Sequence, residues 1–377
     1  MIGLSFIEKL LDGASVAHFP LEKIAKIKHG KDWKKLASGD IPVYGSGGIM
    51  GYVDTYSYDK PTVLIPRKGT ITNLFYVDSA FWNVDTIYYT EIDETKILPK
   101  YLYYVIKTID LMSLDTGSGR PSLTQAILNK LLIPMPCPDN PEKSLAIQAE
   151  IVRILDAFTA ITAELTAELT AELNMRENQY NYYREHLLSF DEGDVEWKTL
   201  GDIAEIGTGK HDTRDAIEDG EYIFYARGRE PLKLNTFNFD ETAIITAGDG
   251  AGVGKVYHYA QGKYALHQRA YRIVPDDSMH PRFVYHYISA YFNDYIQKAS
   301  VSSSVTSLRR PMFLKFPIPV PPHSEQSRIV EILEKFETLT TSIQEGLPRE
   351  IELRQKQYEY YRDLLLSFPK SHSHEAA

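Results

Sequence analysis

The sequence predicts an α+β chain of two tandem β-rich domains, each followed by a long helix, with the two helices pairing as an antiparallel coiled coil. Three observations lead to this class. A segment of 43 residues occurs twice, and each copy has the composition of a long helix. The blocks before the copies alternate β-branched and aromatic runs with glycine-rich turns, which is typical of short strands.

The repeat relates residues 148–190 to residues 326–368 at an offset of 178 without a gap, and 19 of the 43 positions are identical. Both copies begin with Gln-x-x-Ile-Val-x-Ile-Leu, carry Tyr-x-Tyr-Tyr-Arg near their end and close on Leu-Leu-Ser-Phe. A strand with alternating prolines precedes each copy. The chain is therefore two tandem units, each a block of about 130 residues followed by a helix.

The first copy contains the tetrapeptide Thr-Ala-Glu-Leu three times, at Thr162–Leu165, Thr166–Leu169 and Thr170–Leu173. These are good helix formers uninterrupted by glycine or proline. Their leucines, Leu165, Leu169 and Leu173, form an apolar stripe that we expect to pack on the second helix. Each unit adds about 6 Å of rise and about 40° of rotation. Taken alone, the stretch is equally typical of an ordinary amphipathic helix.

We expect the first helix to be continuous and the second to be interrupted. A helix of 43 residues spans roughly 65 Å, so it needs a partner along its length, and the second copy is the evident one. Where the first copy carries its second and third tetrapeptides, the second copy has Gly346-Leu347-Pro348. Proline breaks or kinks a helix. The first helix would then set the separation of the two blocks.

Each block has the pattern of a β-rich α+β domain. Strands are predicted over residues 62–66, 74–77, 85–90, 222–225, 243–247, 255–259 and 270–274. Aromatic runs after a proline predict helices over residues 100–106 and 282–288. Turns are predicted at residues 45–48, 68–69, 227–228 and 248–252.

Charge is distributed unevenly along the chain. The formal net charge is −10, but residues 13–146 carry +1 and residues 192–325 carry −3. The remaining excess lies in the helical segments, with −5 over residues 147–191, −2 over residues 326–377 and −1 over residues 1–12. The two blocks are near neutral with local basic clusters, which is compatible with a DNA-facing surface.

Composition and motifs exclude several classes of protein. No apolar run reaches the length of a membrane span, and residues 1–13 lack the pattern of a signal peptide. The single Cys137 excludes an intrachain disulfide and suits the cytosol, so we expect a cytoplasmic protein. Residues 248–255 resemble a phosphate-binding loop, but that motif requires glycine in place of Asp249 and Ser or Thr in place of Val256.

Motifs for catalysis or metal binding are absent from the sequence. It contains no Asn/Asp-Pro-Pro-Tyr/Phe tetrapeptide for adenine methylation, no Gly-x-Ser-x-Gly and no His/Cys cluster with metal-ligand spacing. We therefore expect no catalytic residue, metal or cofactor in this chain.

Basic loops of the first block are candidate DNA contacts. Residues 28–35 combine five basic or histidine positions with a tryptophan, which suits phosphate contact and equally suits a solvated loop. The turns at residues 44–48 and 66–70 and the basic loop at residues 117–122 are further candidates. The residues selected are Lys28, Lys31, Lys34, Lys35, Tyr44, Ser46, Arg67, Lys68 and Arg120.

The second block offers a corresponding set. Residues 300–310 match the loop at residues 117–122 in position and character, which favours a function over a plain linker. Arginine can pair with guanine, and glutamine with adenine, through two hydrogen bonds. The residues alone do not decide which side chains reach bases. Those selected are Lys210, Arg227, Arg229, His267, Gln268, Arg269, Ser303, Arg309 and Arg310.

In this layout the sequence resembles a type I restriction-modification specificity subunit, the DNA-recognition chain of those complexes. The resemblance covers essentially the whole chain. It rests on the two blocks, the two helices with their shared first residues and the proline-alternating strands. The three Thr-Ala-Glu-Leu units point to the IC branch, in which the number of these units is associated with the spacing between two halves of a split DNA target.

The resemblance implies a non-catalytic subunit whose two target-recognition domains each read one half of a bipartite target, while the helices fix the gap. The predicted layout is a short N-terminal helical segment over 1–12, domains over 13–146 and 192–325, spacer helices over 147–191 and 326–369, and a disordered tail over 370–377.

The resemblance also implies the partners. They are double-stranded DNA, two methylation subunits that methylate adenine and two restriction-translocase subunits, with no membrane involved. S-adenosylmethionine, ATP and Mg²⁺ would belong to the partner subunits. Two alternatives remain open from the residues: an interaction scaffold that holds two protein-binding domains apart, and a stand-alone nuclease or methyltransferase, which would have to turn over substrate by itself.

Overall fold

The computed structural model describes residues 9–116, 119–191, 193–299, 307–341 and 346–368. The chain forms two compact units. Unit 1 comprises residues 1–168 together with residues 352–377, and unit 2 comprises residues 169–351. Of the predicted N-terminal segment, residues 9–11 are helical, and the predicted tail over 370–377 lies outside the described residues.

Unit 1 contains nine described strands in three sheets. β1 pairs antiparallel with β9, the order β2-β8-β5-β6 forms a four-stranded sheet, and the order β4-β3-β7 forms a three-stranded sheet. The strands are β1 (Val16–Pro20), β2 (Ala25–His29), β3 (Ile41–Gly45), β4 (Gly48–Val53), β5 (Thr62–Pro66), β6 (Phe75–Val77), β7 (Trp82–Asn83), β8 (Ile87–Ile92) and β9 (Leu132–Pro136).

Unit 2 contains eight described strands. β10 pairs antiparallel with β17, and the order β11-β16-β14-β15-β12-β13 forms one six-stranded sheet. The strands are β10 (Glu196–Thr199), β11 (Ala204–Thr208), β12 (Tyr222–Tyr225), β13 (Leu232–Leu234), β14 (Phe239–Ala247), β15 (Tyr257–Leu266), β16 (Ala270–Pro275) and β17 (Pro317–Val320).

The two units share one strand order. In unit 2 the long β15 pairs antiparallel with β14 and parallel with β12. In unit 1 two short strands take the place of β15: β6 pairs antiparallel with β5, and β7 pairs parallel with β3. The strand pairing is interrupted between β6 and β7, so the strands that form one sheet in unit 2 form two sheets in unit 1. The predicted strands are all present.

The helices include the two long segments that the repeat predicts. They are α1 (Pro99–Lys107), α2 (Gln125–Leu128), α3 (Pro141–Leu187), α4 (Leu200–Ile203), α5 (Pro281–Ala299), α6 (Arg310–Leu314), α7 (His323–Thr341) and α8 (Leu347–Leu366), with single 3-10 turns at Leu21–Lys23, Met112–Leu114 and Thr213–Asp215. α3 is continuous over 47 residues. The second copy forms two helices, α7 and α8, in agreement with the expected interruption.

The core of each unit joins its domain to helices of the repeat. In unit 1, Ile151 and Leu155 of α3 and Leu365 of α8 belong to the same hydrophobic cluster as α1. In unit 2, Ile329 and Leu333 of α7 pack with α5 in the corresponding cluster. The buried residues lie at i and i+4, so one stripe of each helix faces its domain.

Aromatic pairs connect the helices within each unit. In unit 1 the ring of Phe158 stacks on Tyr361 with centroids 5.7 Å apart. In unit 2 Phe336 stacks on Tyr183 at 5.3 Å. The repeat offset of 178 relates Phe158 to Phe336 and Tyr183 to Tyr361, so both units use the same contact. Such pairs stabilise a packed helix interface by about 0.5–1.5 kcal/mol beyond the area they bury.

The leucine stripe of the tetrapeptides is less buried than the sequence predicts. Leu165 is exposed, and Leu169 and Leu173 are half-buried. None of the three belongs to a hydrophobic cluster of the described residues. The second copy explains this, because Gly346 and Pro348 replace its helix-forming tetrapeptides and the next helix begins only at Leu347.

A buried glutamine ties each long helix to its domain. Gln148 Oε1 accepts a hydrogen bond from Leu98 N at 2.8 Å, and its Nε2 donates to Lys96 O at 3.0 Å. The repeat-equivalent Gln326 accepts from His280 N at 2.6 Å and donates to Ser278 O at 3.1 Å. Both glutamines are fully buried. Each amide therefore satisfies backbone groups at the start of its domain's helix.

Replacing Gln148 with leucine should lower the free energy of unfolding by about 2–5 kcal/mol, because a backbone N–H and a carbonyl lose their partner in the core. Urea denaturation followed by fluorescence measures the loss. Gln355→Leu, on an exposed part of α8, is the matched control and should change the free energy little. Equal losses in both variants would contradict the buried hydrogen-bonding role.

Candidate nucleic-acid interface

The loops selected from the sequence converge on one edge in each unit, and we call it the loop edge. In unit 1 it consists of residues 30–35, 45–48, 67–70, 84–86 and 120–123. In unit 2 it consists of residues 209–212, 226–229, 248–250, 267–269 and 307–310. Most of these loops begin or end at a strand, whereas residues 120–123 and 307–310 lead into the short helices α2 and α6.

Backbone hydrogen bonds hold the loop edge of unit 1. Arg67 N donates to Thr86 O at 2.8 Å, and Leu123 N donates to Arg67 O at 2.8 Å. Lys68 forms a bridge to Ser122. The three contacts fix the loop after β5 between the loop before β8 and the segment before α2.

Unit 2 repeats these contacts at its own loop edge. Gly248 N donates to Arg269 O at 2.8 Å, and Leu308 N donates to Gly248 O at 2.7 Å. Asp249 forms the bridge to Ser307. Position by position, Gly248 therefore corresponds to Arg67, and the loop after β14 corresponds to the loop after β5.

Tyrosine hydroxyls and two further backbone bonds extend the match. Tyr88 Oη donates to Leu123 O at 3.4 Å, and Tyr271 Oη donates to Leu308 O at 3.5 Å. Val84 N donates to Tyr44 O in unit 1, and His267 N donates to Tyr225 O in unit 2, both at 3.0 Å. Likewise, Lys31 N donates to Asn83 O at 2.9 Å, and Lys210 N donates to Leu266 O at 3.2 Å.

Glycine permits the same turn in both loops. Gly69 has φ +85° and Gly250 has φ +81°, a region that side chains other than glycine rarely adopt. Each follows the bridging residue, Lys68 or Asp249. The two loop edges are thus one backbone framework that carries different side chains.

Each loop edge is basic although the chain is acidic. Both edges contain six Lys or Arg residues against two Asp residues. Those with exposed side chains and no ion pair in the described part of the chain are Lys31, Lys34, Lys35, Lys68, Arg120, Lys210, Arg229, Arg309 and Arg310. Such free cations are available to phosphate groups of a nucleic acid.

A shared carboxylate holds the other two arginines of unit 2. Arg227 Nη1 lies 2.9 Å from Asp249 Oδ1, and Arg269 Nη1 lies 2.8 Å from Asp249 Oδ2. Burial favours the protonated carboxyl, but the two guanidinium groups outweigh it and lower the pKa of Asp249. Asp249 therefore carries its negative charge at neutral pH and fixes both arginine side chains.

A surface pocket opens beside this cluster. Its volume is about 340 Å³, and its walls include Asp249, Gln268, Arg269, Tyr271 and Ser307. Gln268 Nε2 donates to Asp212 Oδ2 at 3.2 Å, which holds the amide at the rim. The walls of the pocket contain both hydrogen-bond donors and hydrogen-bond acceptors, which suits contact with the edge of a DNA base.

In unit 1, Ser46 and Arg67 belong to the loop edge. Ser46 O accepts a hydrogen bond from Asn73 Nδ2 at 3.2 Å, and Arg67 is half-buried with its Nη1 3.5 Å from Asp85 O. Both remain candidate contacts. Ser303 lies outside the described residues.

Three selected residues make contacts within unit 1 or unit 2. Lys28 lies on β2 and pairs with Glu91 at 3.3 Å. Tyr44 packs its half-buried ring against Phe75, and burial raises its pKa. His267 is buried, so its ring cannot contact DNA directly. It stacks on Phe224.

The buried side chain of His267 supports the backbone of the loop edge. Its Nδ1 accepts a hydrogen bond from Arg269 N at 2.9 Å. Burial, reinforced by the nearby Arg227, lowers its pKa, which keeps the ring neutral and able to accept that bond. The residue positions the turn that carries Arg269.

Asp249 is the residue that the sequence did not select. In the sequence it only excludes the phosphate-loop motif, whereas the structure places it between two selected arginines. Its position at the end of a predicted strand, next to a glycine turn, was the available signal. Among the described residues no cluster of His, Cys, Asp and Glu has the arrangement of a metal site.

A family model described as "Type I restriction modification DNA specificity domain" matches residues 15–175 and again residues 192–353. The two matches cover most of the chain. The chain belongs to the type I restriction-modification DNA specificity family. Specificity subunits recognise the DNA target and are non-catalytic, with catalysis in the methylation and restriction subunits. The two matches correspond to the tandem units of the repeat.

Curated relatives support the same family. The chain is 41% identical to the Type I restriction enzyme EcoR124I/EcoR124II specificity subunit of Escherichia coli, over 98% of each chain. It is 34% identical to the EcoprrI specificity subunit of the same species, over 92% of this chain and 93% of that one. A putative specificity subunit of Haemophilus influenzae is 33% identical over 97% and 98%.

Solved structures of chains from type I restriction-modification systems share the fold. The S subunit from M. genitalium aligns with a TM-score of 0.55 at 16% identity, covering 95% of this chain and 98% of that one. A chain solved to explain complex assembly and conformational transition of the type I R-M system aligns with a TM-score of 0.64 at 13% identity, covering 93% of this chain and 97% of that one.

Within the described part of this specificity subunit, no helix is long and apolar enough to cross a membrane.

Substituting Arg309 and Arg310 together by alanine should weaken DNA binding and flatten its salt dependence. Each lost phosphate contact reduces the slope of log affinity against log salt by about 0.9. Fluorescence anisotropy of a labelled duplex over a salt series measures both quantities. Lys335→Ala on α7 removes one exposed cation elsewhere in unit 2 and serves as control. Unchanged affinity and slope in the double variant would show that this segment does not touch DNA.

Proposed function

We propose that each loop edge reads one half of a bipartite DNA target and that the spacer helices fix the gap between the halves. The target-recognition domains extend over residues 13–146 and 192–325, with spacer helices over 147–191 and 326–369. The DNA contacts are the loop-edge residues of each unit, with exposed cations on phosphates and the Arg227–Asp249–Arg269 cluster on bases.

The observation that carries this proposal is the duplicated loop edge. One backbone framework occurs in both units and presents six basic residues against two acidic ones, while the rest of the chain supplies the acidic excess. A protein that binds a duplex at two separated sites needs two basic surfaces of this kind. Different side chains on one framework suit two half-sites of different sequence.

The helices suit the role of a spacer. α3 is continuous through the three tetrapeptides, and within each unit the repeat-related aromatic pair packs it against a helix of the second copy. We infer that the two copies pair as an antiparallel coiled coil and that the chain belongs to the IC branch. One tetrapeptide adds about 6 Å of helix, which corresponds to one to two base pairs of duplex.

Catalysis then falls to the partners. We infer an assembly of this subunit with two methylation subunits, which would methylate adenine, and two restriction-translocase subunits. S-adenosylmethionine, ATP and Mg²⁺ would bind to those subunits, and the complex would act on chromosomal and incoming DNA in the cytoplasm.

Selection from a random duplex library tests the central proposal. The chain is purified with its methylation subunits, bound to duplexes with a randomised stretch and sequenced after several rounds. We expect one split motif with a non-specific gap. An interaction scaffold would select no motif, and that result would overturn the proposal.

Deleting residues 166–169 should shorten the preferred gap by about one to two base pairs and leave both half-sites unchanged, because one helical turn is removed between the readers. The same library selection gives the gap. Replacing these four residues with alanines keeps the helix length and is the matched control, for which we expect the wild-type gap. A deletion variant with the wild-type gap would refute the spacer role.

Exchanging residues 192–325 for the corresponding domain of another specificity subunit should change one half-site only. The reason is that each loop edge is held by bonds within its own unit. Methylation mapping of host DNA reports both half-sites and the gap. Changes in both half-sites would be incompatible with two independent readers.

A further inference from the structure

Three positions of the loop edge correspond between the units but differ in side chain. Ser46 and Arg227 each lie two residues after the matched tyrosines. Lys68 and Asp249 form the matched bridges to serine and precede the matched glycines. Thr86 and Arg269 accept the matched backbone hydrogen bond.

The three positions converge in both units. In unit 1, Ser46 N donates to Thr86 Oγ1 at 3.4 Å, and Lys68 N donates to Thr86 O at 3.4 Å. In unit 2 the convergence is made by side chains, since Asp249 accepts from Arg227 at 2.9 Å and from Arg269 at 2.8 Å. The same place in the framework is therefore a centre of contact in each unit.

The two sets have equal charge and different chemistry. Ser46, Lys68 and Thr86 offer one ammonium group and two hydroxyl groups, with a formal charge of +1. The set of unit 2 has two guanidinium groups and one carboxylate, also +1. Net charge governs non-specific attraction to DNA, so the two sets should attract a duplex equally. Because their hydrogen-bonding groups differ, they should recognise different bases.

We propose that Arg227 and Arg269 are the guanine-reading residues of unit 2 and that Asp249 is their positioning residue. The inference rests on the proposed function and adds the base that this unit recognises. The half-site read by residues 192–325 contains guanine, and the half-site read by residues 13–146 is recognised by a different set of groups.

The geometry of the arginines supports base contact. Each guanidinium uses only Nη1 in its hydrogen bond to Asp249. In the described part of the chain, its Nε and Nη2 groups have no other partner, and these two parallel donors match O6 and N7 of guanine. Arg269 is the more exposed of the two, at 62% against 40% for Arg227. An arginine that is already held loses less rotamer entropy when it binds.

The carboxylate argues against simple phosphate contact. Asp249 lies within hydrogen-bonding distance of both guanidinium groups, and its negative charge would repel a phosphate at the same place. Lys210, Arg229, Arg309 and Arg310 of the same loop edge are better suited to the DNA backbone. The cluster is therefore a base-reading centre within a phosphate-binding rim.

The test compares conservative variants in the complex with the methylation subunits. Arg269→Lys and Arg227→Lys keep the charge and remove the two parallel donors. In the random duplex library, each should lose preference for one guanine of one half-site by about 5- to 150-fold. The other half-site and the salt dependence of binding should stay as in the wild type. Lys335→Ala is the control and should select the wild-type motif.

The Asp249→Asn variant distinguishes loss of arginine positioning from loss of the fold. It should reduce discrimination at the same guanines, while affinity for a duplex without the target should rise several-fold, because one negative charge is removed and two guanidinium groups are released. A variant that had merely lost its fold would bind both duplexes less well, and circular dichroism checks that the fold is kept.

The outcomes distinguish the two proposals. If the wild-type complex selects no split motif, the proposed function fails. If it selects one but the half-site read by residues 192–325 contains no G·C pair, or if the lysine variants retain full guanine preference, only the assignment of Arg227 and Arg269 is overturned. A uniform loss of affinity over all sequences in the lysine variants would assign these arginines to the phosphate backbone and would equally overturn it.

Discussion

One backbone hydrogen bond, present once in each unit, joins two of the loops that carry the candidate DNA contacts. It joins the amide of Leu123 to the carbonyl of Arg67 in unit 1, and the amide of Leu308 to the carbonyl of Gly248 in unit 2. Through it the segment before the last short helix is fixed against the loop that follows a central strand. Because the bond uses only backbone atoms, the neighbouring side chains can vary without loss of the framework. The same backbone thus supports two surfaces with different side chains.

The regular elements were accessible from the sequence because their signals are local. β-branched runs such as residues 62–66 and 222–225 became strands with those bounds. The repeat gave the two-unit organisation and the interruption between α7 and α8. The parallel pairing of β12 with β15 was not accessible, since it joins residues that are about forty positions apart and follows from the sheet order alone.

The grouping of the candidate loops could be predicted from the sequence, whereas the contacts that each side chain makes within the fold could not. The selected loops do meet at one edge, since turns beside neighbouring strands must lie close together. Lys28, Tyr44 and His267 were selected for their chemistry, but the first is paired with Glu91 and the other two are engaged in packing. Asp249 was missed because its place beside a glycine turn marks a candidate loop but does not show that its carboxylate holds arginines of two other loops.

The equal charge of the two loop edges has a consequence for how the protein searches for its site. Electrostatic capture and sliding depend on charge and are blind to base sequence. Six basic and two acidic residues lie on each edge, so under the proposed function neither edge would dominate the first encounter with the duplex. Under the proposed function, both edges would sample DNA with similar residence times, and commitment to a site would follow when both edges meet the bases that fit them.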